Sequence, residues 1–193
     1  MALPDLRVIG IDPGSRTTGW GVVERVGGKV AAVASGVIRT KPEEPMPSRL
    51  QAIHLGLLAA IHSWRPTEAA MEEIFMHKSA ASALVLGQAR GVALLATAGI
   101  PLATYNAMTI KNSVSGSGKA DKDQVARMVK LLLTMEKDCP ADETDALAIG
   151  LTHLIHRRVA GQAAPQAAPA KRERRMSARD QWTAIALRAG VKA

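Results

Sequence analysis

Over the first forty residues the apolar positions come in short blocks, and helical spacing appears only later. Leu6 to Asp12, Gly19 to Val26 and Val30 to Arg39 read as three strands, with Val26-Gly27-Gly28-Lys29 as a tight hairpin. Pro and Gly make Asp12-Pro13-Gly14-Ser15 a loop. After the Pro-rich Lys41 to Pro47, Leu50, Ile53, Leu57, Leu58 and Ile61 recur at helical spacing until Trp64-Arg65-Pro66 ends the run. Glu68 to Glu73 predicts a short strand. A helix over Ser79 to Ala98 follows, apolar and small nearly all round, which predicts a central, closely packed position. Pro101 to Tyr105 predicts a fifth strand, followed by a short helix near Met108 to Val114 and a Gly/Ser loop. The next helix is expected to turn Val125, Met128, Val129, Leu132 and Leu133 inward, and the last core helix covers Ala141 to Arg157. Hairpin-linked strands followed by alternating strands and helices predict an α/β domain with a mixed five-stranded sheet flanked by helices.

That domain is expected to cover residues 1–159. From residue 160 the composition changes to AGQAAPQAAPA, a linker pattern, and then to the basic KRERR, so residues 160–193 read as a flexible basic tail. Residues 161–193 carry a net +5 and residues 1–160 only +3, so attraction to nucleic acid in the domain has to come from local patches. No stretch is long and apolar enough to span a bilayer, and the N-terminus lacks the regions of a signal peptide. Cys139 is the single cysteine, which rules out an internal disulfide and suits a reducing, cytoplasmic location.

The candidate chemistry lies in acids at the ends of apolar runs. Asp12 closes Val8-Ile9-Gly10-Ile11, and Glu72 and Glu73 close Ala69-Ala70-Met71. Neighbours on a strand face opposite sides, so only one of this pair can enter a given site, and periodicity does not say which. Asp142 and Asp145 are spaced to share a helix face, with Glu143 turned away; Asp142 could equally act as a helix cap. Crowded carboxylates raise one another's pKa unless a hard divalent cation compensates them, and all-oxygen ligands favour Mg²⁺ or Mn²⁺ over zinc. The pattern is that of a metal-dependent DNA endonuclease. His153 shares a helix face with Asp145 but lies roughly 12 Å along the axis, which makes it a core or surface histidine. Gly116-Ser117-Gly118-Lys119 is not a phosphate loop, because Ser113 and Ala120 stand where Gly and Ser/Thr are needed. The Asp12-Pro13-Gly14 turn also occurs in actin-like ATPases, but those enclose nucleotide between two domains and this chain has length for one.

The segments VIGIDPGSRTTGWGVV, MEEIFM, SALVLGQARGVALLA and DETDALAIGLTH, in order over residues 6–156, resemble the RuvC family of Holliday-junction resolvases. The resemblance implies a ribonuclease-H-like fold, a homodimer, and paired symmetric nicks across a four-way DNA junction in recombination and repair. It implies two Mg²⁺ ions per site, with Mn²⁺ as a substitute, and assigns the catalytic, metal-binding acids to Asp12, Glu72, Asp142 and Asp145. Some relatives carry His at the third position; this chain has Asp142. Phe75 matches the aromatic that stacks on bases near the junction centre, and Lys111 and Lys122 match lysines that contact DNA near the scissile phosphate. Arg90 and Lys119 are further candidate phosphate contacts. RuvA and RuvB, the branch-migration proteins, are the partners the family implies.

Overall fold

Strand β1 (Leu6–Asp12) is apolar on both faces, which requires cover on both sides of the sheet. A computed structural model describes residues 6–73 and 79–160 and supplies that cover. Phe75, His77 and the tail beyond residue 160 lie outside the described residues. The other elements are β2 (Thr17–Val26), β3 (Lys29–Arg39), α1 (Met46–Trp64), β4 (Glu68–Glu72), α2 (Ala80–Ala96), β5 (Leu102–Tyr105), α3 (Ala107–Ser115), α4 (Lys122–Leu132) and α5 (Ala141–Ala160). The five strands form one sheet in the order β3-β2-β1-β4-β5. Hairpin pairs β1–β2 and β2–β3 are antiparallel, whereas β1–β4 and β4–β5 are parallel, joined through helices. This is the mixed sheet expected from the sequence. Gly27 and Gly28 turn the β2–β3 hairpin with φ of 56° and 84°, the positive values that a two-residue turn of this kind demands.

Alternate residues of β1 feed two cores. Ile9 and Ile11 pack with Val22, Met71, Ile53, Leu57, Ala89 and Ala93 under α1 and α2. Val8 and Ala70 pack with Leu147, Leu151, Val114 and Val129 under α3, α4 and α5. On the second side, α5 lies unusually close to the strands. A Cβ on Gly10 would sit 2.1 Å from the carbonyl oxygen of Ala146, and one on Gly19 would sit 2.0 Å from that of Asp142. Glycine at both positions is what lets the first turns of α5 rest directly on β1 and β2.

Two expectations need correcting. Helix α2 is not central: it buries only Ala89, Ala93 and Ala96, while Leu84 and Leu95 are 66% and 62% exposed. Its small side chains form one narrow face against α1 and the sheet, so a composition that is apolar all round does not bury it all round. In α4, Leu132 turns outward and the burial is supplied by Val125 and Val129, with Leu133 just past the helix end.

Candidate metal-dependent nuclease site

The parallel register places Ile11 beside Met71, so β1 and β4 end side by side with Asp12 and Glu72 as their last residues. Along β1, Val8 and Gly10 face α5, and so therefore does Asp12; along β4, Ala70 faces α5, and so does Glu72. Glu73 lies beyond the strand, exposed, with its N–H on the Tyr105 carbonyl. Helix α5 starts above this pair and brings Asp142 and Asp145 on its first turns. Asp142 is not the cap, because it already lies within the helix; its Oδ1 accepts from Thr17 Oγ1 at 3.3 Å. Glu143 points away and accepts from Ser35 Oγ at 2.5 Å, which ties α5 to β3.

Electrostatics register this convergence. Burial, then Glu72, Asp145 and Asp142, push the Asp12 carboxyl from 3.8 up to about 7, and Lys122 opposes them. Glu72 is also raised, first by burial and then by Asp145, against the pull of Lys122 and Arg90. Lys122 Nζ stands 3.4 Å from Asp145 Oδ2. Among the described residues, no three His, Cys, Asp or Glu side chains stand as a ready-made metal cluster. Like charges splay apart, and here Asp142 is turned to Thr17 and Asp145 to Lys122. The donor set itself, carboxylate oxygens alone, fits a hard divalent cation such as Mg²⁺ or Mn²⁺.

The expected DNA contacts fall in different places. Lys111 and Lys122 line a cleft with Glu72 and Asp145, between α3, α4 and α5. Lys119 is exposed on the α3–α4 loop and does not line that cleft. Arg90 is half-buried and donates to the backbone carbonyl of Glu72, so α2 holds the end of β4 through it. His153 is a core residue. Its Nε2 and Nδ1 pair with Glu68 Oε2 at 2.6 Å and Tyr105 Oη at 2.7 Å, and burial lowers its pKa in spite of Glu68.

Sequence reasoning passed over Thr17, whose hydroxyl holds Asp142, and the packing role of Gly10 and Gly19. Isolated glycines inside strand patterns were the available signal for close backbone approach.

The family model for crossover junction endodeoxyribonuclease RuvC matches residues 8–153. Crossover junction endodeoxyribonuclease RuvC of Bradyrhizobium diazoefficiens is 48% identical over 155 residues, spanning 79% of this chain and 89% of that protein. The Xanthobacter autotrophicus RuvC is 46% identical over 165 residues, spanning 84% and 98%. T. thermophilus RuvC in complex with Holliday junction substrate superimposes with a TM-score of 0.76 at 37% identity, covering 80% of this chain and 96% of that one. The yeast mitochondrial Holliday junction resolvase shares the fold, with a TM-score of 0.59 at 14% identity over 84% and 83% of the two chains. With the match running from β1 into α5, through every element that carries one of the acids, the chain belongs to the RuvC family of crossover junction endodeoxyribonucleases.

Proposed function

We propose that the protein resolves Holliday junctions by paired symmetric nicks, with Asp12, Glu72, Asp142 and Asp145 as its metal-binding acids. The observation that carries this reading is the convergence of Asp12 and Glu72, at adjacent strand ends, with Asp142 and Asp145 on the first turns of α5, a crowding that together with burial pushes the Asp12 carboxyl up to about 7. A fold does not keep such a group for stability, since repulsion among partly buried carboxylates costs free energy. Asp12, Glu72, Asp142 and Asp145 would hold a pair of Mg²⁺ ions, which would supply activation of the attacking water and stabilisation of the departing 3′ oxygen.

The chain's own residues divide the remaining work. Asp12 and Glu72, on adjacent strand ends, are fixed by the sheet and set the position of the site. Asp142 and Asp145 arrive on α5, with Thr17 orienting the first. Lys122, beside Asp145, offsets negative charge that builds on the phosphoryl oxygens, and Lys111 lines the same cleft toward the substrate. The products are a 5′-phosphate and a 3′-hydroxyl, ready for ligation.

Resolution needs two nicks, so the acting species is a homodimer whose two-fold axis matches that of the junction. Helices α1 and α2 expose Leu55, Leu58, Leu84, Leu94 and Leu95, apolar surface available to a second copy. The family resemblance also extends to Phe75 at the junction centre and to cooperation with RuvA and RuvB.

The deciding experiment incubates a synthetic mobile four-way junction, a linear duplex and an RNA–DNA hybrid with the protein and Mg²⁺ or Mn²⁺. Symmetric paired nicks in the junction alone are the expected result. Junction binding without cutting in either metal would leave a recognition module and remove the nuclease reading.

The basic tail has a separable role. Removing residues 161–193 takes away a net +5 and is expected to weaken junction binding most at low salt and to make it less salt-dependent, with metal-dependent cleavage preserved. A folded truncation that no longer cuts at any salt concentration would refute this division.

A further inference from the structure

Four carboxylates at one sheet end repel the phosphodiester they are meant to act on. On the α3–α4 side of the site, Lys111 and Lys122 offset that repulsion. On the opposite side, where β2 begins and β3 ends, Arg16 and Arg39 are exposed, and neither guanidinium has a hydrogen bond or ion pair among the described residues.

We propose that Arg16 and Arg39 form a second backbone-phosphate site, which grips the cut strand on the side of the scissile bond away from Lys122. The assignment rests on the nuclease reading above and adds to it a ligand contact on the other flank. Arg39 is paired in register with Thr17, and cross-strand partners share a face of the sheet. Thr17 reaches Asp142 on α5, so Arg39 lies on the α5 face of the sheet, across from the strand residue that holds one of the four acids. The following residue, Thr40, donates its N–H to the Arg16 carbonyl at 2.9 Å, which holds the two arginine-bearing segments side by side.

The loop that carries Arg16 is braced beyond the needs of a turn. Thr18 Oγ1 donates to the Gly14 carbonyl at 2.7 Å. Ser15's carbonyl accepts both Thr40 Oγ1 at 2.5 Å and Arg49 Nη2 at 2.6 Å. Arg49 reaches it from α1 and is itself buried. Such bracing fixes the backbone under Arg16 before any ligand arrives, so less ordering entropy is lost on binding. Asp12 opens this same loop, so the segment that ends in an acid of the site continues into a free cation. Two guanidiniums also suit the chemistry, since their planar forks donate bidentately to phosphate.

The test measures binding to a synthetic four-way junction in EDTA, where no cutting occurs, for wild type, Arg16→Gln, Arg39→Gln and the double variant. Lys29→Gln, at the hairpin far from the site on the same strands, is the charge-matched control. Each arginine substitution is expected to weaken binding about tenfold and to lower the salt slope by about one, while Lys29→Gln does neither. A scan with single neutral methylphosphonates around the cut then locates the contact: one position on the flank away from Lys122 should cost wild type affinity and cost the double variant nothing. Melting curves matching wild type exclude unfolding as the cause of any loss. Unchanged binding and slope in the double variant overturn the assignment. So does an equal loss in Lys29→Gln, or a methylphosphonate penalty that survives in the double variant. If wild type itself neither binds nor cuts the junction, the nuclease reading fails and takes this site with it; if wild type binds and the variants match it, the second site alone fails.

Discussion

Asp12→Asn is expected to reduce junction nicking by roughly a thousandfold while leaving junction binding intact, and to make the metal-free protein more stable. The two effects share a cause. Asp12 is held near 7 by burial and by Glu72, Asp145 and Asp142, so its charged form is disfavoured in the fold. The sign is opposite to that of a salt-bridged carboxylate. Because the folded value lies above the ordinary 3.8, the folded state binds the extra proton, and stability falls as pH rises from about 4 through about 7. Asparagine removes both the charge and this dependence, for a gain of up to about 4 kcal/mol at pH 8. In thermal melts without metal, the advantage of Asp12→Asn should be small near pH 4 and level off above pH 7. Adding Mg²⁺ should stabilise wild type more than the variant, because the ion binds only where the carboxylates are complete. A variant that nicks at the wild-type rate would remove Asp12 from the chemistry; one no more stable than wild type at pH 8 would remove the repulsion argument.

Gly19→Ala is expected to cost both fold and activity without touching any charged group. The new Cβ would fall 2.0 Å from the Asp142 carbonyl oxygen, which is backbone and cannot swing aside. Helix α5 must shift, at a cost of about 1–3 kcal/mol or a fall of several degrees in Tm. Asp142 rides on the displaced turn, and misplacing a reacting group by about 1 Å can lower a rate about a hundredfold. Cleavage should therefore fall much further than the loss of folded protein explains. Gly87→Ala is the contrast: nothing lies within 4 Å of that position on exposed α2, and alanine there favours the helix. Wild-type cleavage by a folded Gly19→Ala protein would show that α5 does not need this close approach.

These two residues separate local information from assembled geometry. The boundaries of β1, β3, β4 and α5 were legible within a residue or a few, because alternation, helical spacing and the Gly27-Gly28 turn are set by neighbours along the chain. The acids were legible as candidates for the same reason: a carboxylate at the end of an apolar run is conspicuous in one dimension. Periodicity could not choose between Glu72 and Glu73. The side of the sheet that α5 covers separates them, and that depends on long-range packing. Helix α2 was misjudged because composition reports what a helix could bury, while its neighbours decide what it does bury. Neighbours along the chain suffice to set the strand and helix content and the stock of carboxylates. Long-range packing is what ends β1 and β4 side by side, admits α5 onto them over two glycines, and sets Thr17 against Asp142. Those facts depend on contacts between residues far apart in the chain, whose partners no local pattern specifies.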